Sequence, residues 1–211
     1  MSKSPIPGKF IVLESIDGQA LEEQGKRLYG WLREQKVMVH LTREPTDGPF
    51  GSQIRFILAG RLKMDKVTLA SFFATDRMDH LNKEGGILKR LESGEHVICL
   101  RYYLSSLAYQ AIHADLEWLR AINAQCRRPD LTVFIDTPTS ARLERFAESE
   151  LYSDDELEQK RIKLNKVSEN YQTAIEALRQ EGEKIVIIAG NRPTRAIEDA
   201  IIKLMEQDIV R

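Results

Sequence analysis

The sequence predicts an α/β fold: a doubly wound, five-stranded parallel sheet flanked by helices. Two observations carry the prediction. Short, β-rich and almost wholly apolar runs alternate with longer segments whose apolar residues recur at helical spacing. The apolar runs also show no polar alternation, as befits strands covered on both faces. In order, the predicted strands are Phe10 to Glu14, Val37 to Thr42, His96 to Leu100, Leu131 to Asp136 and Lys184 to Ala189. Between them, Leu21, Leu28, Trp31 and Leu32 mark one amphipathic helix, and Ile162, Leu164, Val167, Tyr171, Ala174 and Leu178 mark another. Right-handed crossovers then give a parallel sheet.

The 211 residues, with 42% hydrophobic and 30% charged, suit one globular domain over 1–211, with a flexible terminus at 1–8. A net charge of −1 supplies no field to draw the chain to nucleic acid or to an anionic membrane. The longest apolar run, Ile185 to Ala189, is too short to span a bilayer, and Met1 to Gly8 has no signal-peptide core behind it. Cys99 and Cys126 lack metal-ligand spacing and are expected to be buried, reduced thiols. A cytoplasmic location is expected.

Ligands of such sheets sit at the carboxyl ends of the strands. After the first strand comes Glu14-Ser15-Ile16-Asp17-Gly18-Gln19-Ala20-Leu21-Glu22-Glu23. A phosphate-binding loop reads G-x-x-x-x-G-K-[ST], with glycines to bare the backbone amides, a lysine for the phosphate oxygens and a hydroxyl for magnesium. The four signature positions here are Ser15, Ala20, Leu21 and Glu22, and none matches. Gly25-Lys26 stands too far from Gly18 to replace it, so Lys26 and Arg27 read as helix surface. Glu22 and Glu23 are expected in the first turn of the helix, where they would stabilise its positive pole and repel a triphosphate.

Further along come Thr42-Arg43-Glu44-Pro45, then Gly51 and Ile54-Arg55. They are followed by Phe73-Ala74-Thr75-Asp76-Arg77 with His80, and by Arg101-Tyr102 with Ser105-Ser106-Leu107-Ala108-Tyr109-Gln110. This ordered set resembles thymidylate kinase, the P-loop nucleoside-monophosphate kinase that converts dTMP to dTDP with MgATP. The resemblance is strongest from Lys9 to Gln110 and continues more weakly to the helix of Tyr171. It implies that Arg43, Arg77 and Arg101 surround the monophosphate, in keeping with the forked donors of guanidinium groups. It also implies Phe73 stacked on the base, Ser105, Tyr109 and Gln110 around it, Asp17 at the sugar 3′-hydroxyl, and Glu44 and Arg55 organising the wall. A homodimer is implied by the resemblance alone.

Three departures concern the ATP side: the loop, Leu100 where the family has aspartate, and the lid-like segment 147–159, with six acids and no base. No catalytic residue follows from the pattern; Arg101 and Arg145 are the candidates. No metal or cofactor is expected, and MgATP enters only if the chain is an active kinase. The expectation is a homologue that binds dTMP or a related pyrimidine deoxynucleotide with weak or lost phosphoryl transfer. Its rivals are an active dTMP kinase using Lys26, Arg27, Arg145 or Arg161, and a structural partner of an active paralogue.

Overall fold

The computed structural model describes residues 7–141, 143 and 154–208. Five strands form one sheet: β1 (Phe10–Ser15), β2 (Val39–Arg43), β3 (His96–Leu100), β4 (Leu131–Asp136) and β5 (Ile185–Ala189). Their order is β2-β3-β1-β4-β5, and every pairing is parallel. The α/β prediction therefore stands. The β1 connection leaves toward β2 and the β3 connection toward β4. The crevice between β1 and β3 is thus the switch point where ligands of such sheets lie.

The described helices are α1 (Gly18–Glu34), α2 (Pro49–Leu58), α3 (Lys66–Asn82), α4 (Ile87–Glu92), α5 (Tyr103–Tyr109), α6 (Leu116–Asn123), α7 (Asp154–Gln180) and α8 (Thr194–Asp208). They divide between the two faces of the sheet because successive strand side chains do. Ile11 and Leu13 of β1 join Leu21, Leu28 and Leu32 of α1 and Ile197, Ile201 and Met205 of α8. Phe10 and Val12 join the opposite cluster, with Leu104 and Leu107 of α5 and Val167, Tyr171 and Leu178 of α7. A smaller cluster, Ile54, Ile57 and Leu69, clamps α2 to α3. Among the described residues no helix is long and apolar enough to cross a membrane. Both cysteines are buried free thiols.

Some predicted boundaries move. β2 begins at Val39 rather than Val37, because the Val37 amide closes the end of α1 on the Leu32 carbonyl at 3.0 Å after a left-handed turn at Lys36 (φ 60°). β5 begins at Ile185 rather than Lys184. Ile162, assigned to the core stripe of its helix, is instead 61% exposed.

The turn after β2 has little room to vary. Thr46 is bound to Asp76 through its amide (2.8 Å) and its hydroxyl (2.6 Å). A Cβ on Gly51 would stand 2.1 Å from the Thr46 carbonyl oxygen, so α2 can approach this turn only through a glycine. The Gly51→Ala variant is expected to lose about 1–3 kcal/mol, as overpacking against unyielding backbone does. Urea denaturation measures this, and a variant as stable as wild type would show that α2 can shift away.

Candidate functional site

The turn between β1 and α1 contains only Ile16 and Asp17. Asp17 caps the helix, its Oδ1 accepting from the amides of Gln19 (3.1 Å) and Ala20 (3.2 Å). Its own amide donates to Ser15 Oγ at 3.1 Å, and that hydroxyl donates to the Ile135 carbonyl at 2.8 Å. The Leu21 amide closes on the Asp17 carbonyl at 3.1 Å. Residues 18–21, within what would be a phosphate loop, are thus the first helical turn, with the amides of Gln19, Ala20 and Leu21 directed to Asp17.

The expected place of Glu22 and Glu23 is corrected here. The first turn carries no acid, because a short carboxylate at position 17 starts the helix ahead of them. Glu22 pairs instead with Arg43 at 3.3 Å, and Glu23 with Arg27 at 3.0 Å. Arg27 also reaches Glu198 at 3.0 Å, as a helix-surface residue does. Leu21 and Leu100 are buried in one apolar cluster. Gly25 completes that packing: a Cβ there would lie 2.5 Å from Leu100 Cδ2, so this glycine is a notch for Leu100.

At the carboxyl end of β1, Glu14 is fully buried. Helix α5 starts at Tyr102 without a side-chain cap of its own, and the Glu14 carboxylate supplies one. It accepts from the amides of Tyr102 (2.8 Å) and Ser105 (3.1 Å), the Ser105 hydroxyl (2.6 Å) and the Tyr171 hydroxyl (3.1 Å). Burial, the largest influence, pushes the Glu14 carboxyl above its ordinary value, against the pull of Arg101 and these donors. Arg101 holds a left-handed backbone, φ 66°, rare for a residue with a Cβ. Its amide donates to the Leu13 carbonyl at 2.9 Å, its guanidinium to Ser105 Oγ at 3.3 Å, and it lies over the Tyr109 ring at 5.5 Å.

Beside this junction is a cavity of about 300 Å³ lined by Glu44, Phe73, Arg77, Arg101, Ser105, Tyr109 and Gln110, all predicted from sequence. Pro45, Leu58, Tyr102 and Ser106 complete the wall. Arg77 is almost wholly buried and bonded to Glu44 (2.8 Å), Ser106 (3.2 Å) and Asn123. Glu44 also meets His80 Nδ1 at 3.2 Å, and His80 Nε2 meets the Thr42 hydroxyl at 2.8 Å. Glu44, His80 and Cys99 bring potential metal-ligand atoms within 4.8 Å of one another. Both ring nitrogens of His80 and both oxygens of Glu44 are already engaged, which fits a hydrogen-bond relay rather than a cation site.

Three predicted site residues do not line the cavity. Asp17 is the helix cap. Arg55 bonds the carbonyls of Pro45 and Thr46 and pairs with Asp47 at 3.2 Å, so it ties the wall together. Arg43 lies outside, in a neighbouring cleft. Arg145 lies outside the described residues, as do positions 147–153 of the lid-like segment; 154–159 begin α7. Sequence reasoning missed Glu14, Ser106, His80 and Asn123 as site-building residues. A charge inside an apolar strand was the available signal for Glu14; Asn123 offered none.

A parallel sheet in this order, with a cavity beside the β1–β3 switch point, has the architecture of the P-loop-type nucleotide kinases. The family model for thymidylate kinase matches residues 13–201. A "Probable thymidylate kinase" of Pyrococcus abyssi is 44% identical over 144 residues, covering 65% of this chain and 69% of that protein. Another of Thermococcus gammatolerans is 36% identical over 213 residues, covering 96% and 98%. A "Thymidylate kinase" of Desulfotalea psychrophila is 35% identical over 144 residues, covering 68% and 70%. The chain belongs to the thymidylate kinase family.

Two predictions follow from these contacts. Leu100→Ala should lose about 2–5 kcal/mol, as buried leucine truncations do, and Leu100→Asp more, since a carboxylate there has no partner. Urea denaturation checks both; a Leu100→Asp protein as stable as wild type would mean that water reaches this position. The raised Glu14 carboxyl makes the folded state the better proton binder from about its ordinary value of 4.5 upward. Its contribution is therefore full at low pH and declines as pH rises through the folded value. The stability of wild type relative to Glu14→Gln, measured from pH 4 to 7, should fall with rising pH; a flat or rising difference would contradict this.

Proposed function

We propose that this chain binds a pyrimidine deoxynucleoside monophosphate, dTMP first, in the 300 Å³ cavity, and that its ATP-dependent phosphoryl transfer is weak or lost. The observation that carries the second half is the β1–α1 turn. The amides a nucleotide phosphate would need are directed to Asp17 and Ser15. The positions of the loop lysine and of the acid before Arg101 are occupied by buried Leu21 and Leu100. The two leucines do not fit MgATP: Leu21 offers no cation for the phosphates and Leu100 no oxygen for the metal. Phosphoryl transfer depends chiefly on positioning and charge stabilisation, so little would remain to drive it.

The acceptor half rests on the seven predicted residues gathered at one cavity, with Phe73 placed at its wall and Arg77 and Arg101 beside it. The protein would act as a cytoplasmic nucleotide-binding homodimer. Phe50, Phe56, Leu58, Leu62 and Val67 expose an apolar run across α2 and the start of α3, next to the cavity that Leu58 lines. The names of the relatives support one rival, an active dTMP kinase with unusual donor contacts. Its candidates Arg27 and Arg161 are paired with Glu23 and Glu158.

Calorimetry with dTMP and with ATP, run separately, tests the reading. Saturable dTMP binding without ATP binding is expected. ATP binding together with turnover in the ordinary kinase range, about 1–100 s⁻¹, would establish the rival. Phe73→Ala should weaken dTMP and thymidine alike by about tenfold, since base stacking contributes about 1–3 kcal/mol. Indifference of both ligands would remove Phe73 from the site.

A further inference from the structure

One ion pair joins the closed turn to the acceptor side. Arg43 Nη1 lies 3.3 Å from Glu22 Oε1, and Nη2 lies 3.4 Å from Asp47 Oδ1. Arg43 sits at the carboxyl end of β2, in register with Leu100, the residue before Arg101. The next two residues, Glu44 and Pro45, line the acceptor cavity. Arg43 itself turns away, into a cleft of about 720 Å³ that it shares with Glu22. Asp47 is also held by Arg55 at 3.2 Å, so it does not depend on Arg43. Glu22 stands where a phosphate loop carries its magnesium-binding hydroxyl, and in this chain that position offers a carboxylate to an arginine.

We propose that Glu22 is an internal stand-in for the ligand phosphate, holding Arg43 off the acceptor cavity until a monophosphate draws it away. The proposal rests on the reading that the cavity takes a nucleoside monophosphate. The pair is suited to exchange. Both side chains are 40–50% exposed, so a short swing of Arg43 meets no packed core. An exposed ion pair shifts an equilibrium by only about two- to fivefold. A phosphate, offering forked acceptors and a larger charge, competes with it readily. Residue 22 thereby sets how strongly the site prefers a phosphorylated over an unphosphorylated nucleoside.

The test is calorimetric titration of wild type, Glu22→Gln, Arg43→Ala and the double variant with dTMP and with thymidine. Glu22→Gln is expected to tighten dTMP by about two- to fivefold, to leave thymidine unchanged, and to have no effect once Arg43 is alanine. Unchanged dTMP affinity in Glu22→Gln would overturn the proposal, as would an equal gain for thymidine. A gain that persists in the Arg43→Ala background would also overturn it, by showing that Glu22 acts on the ligand directly. Wild-type dTMP binding that Arg43→Ala weakens and Glu22→Gln leaves alone defeats this proposal and spares the binding reading. No dTMP binding by any of the four defeats both.

Discussion

The buried carboxylate of Glu14 is the constraint around which the site is organised. A charge in the middle of a parallel sheet is costly unless its lone pairs are satisfied, and here four donors from three residues of two other segments satisfy them. Each donor fixes something the site needs. The amides of Tyr102 and Ser105 start α5 directly beyond β3, and the Tyr171 hydroxyl pins α7 to the same point. Arg101 is then carried at the junction with its guanidinium over Tyr109. Without Glu14, α5 would begin with bare amides, since Tyr102 brings no cap of its own.

Two further buried acids repeat the device on the other wall. Glu44 gathers Arg77 and His80, and Asp76 gathers the amide and hydroxyl of Thr46. These bonds run between elements distant in sequence, so the cavity wall is held by long-range pairs rather than by any one loop. Removing a single partner would leave a buried charge uncompensated, which is far more costly than the net value of the pair. Arg77 is therefore as much a part of the wall as a group facing the cavity.

The sheet was legible in the sequence because apolar runs between amphipathic segments admit few other folds. The cavity was legible through the ordered resemblance from Thr42 to Gln110. The place of Glu22 and Glu23 was not, because the start of α1 depends on which residue wins the cap. Asp17 reaches the amides two and three residues on, and that competition is local geometry, invisible to spacing. The separation of Arg43 from Arg77 and Arg101 was hidden for a similar reason. All three follow strands or face the same end of the sheet, and the pairing of Arg43 with Glu22 and Asp47 holds it in the neighbouring cleft.

The β1–α1 turn and the cavity wall also rest on largely separate anchors. Ser15, Asp17, Leu21, Gly25 and Leu100 form a mutually dependent set. Buried amides must find acceptors, and here Ser15 and Asp17 provide them for the amides of Asp17, Gln19 and Ala20. Residues 21 and 100 join the apolar cluster under α1, and Gly25 makes room for Leu100. Glu14, Glu44 and Asp76, which hold the cavity wall, draw no hydrogen-bond donor from residues 15–25. The contacts there are the Tyr109 hydroxyl on the Ile16 carbonyl, 3.3 Å, and the exposed Glu22–Arg43 pair outside the cavity. A backbone carbonyl is indifferent to side-chain replacement, so the closed turn leaves the geometry around Phe73, Arg77 and Arg101 intact.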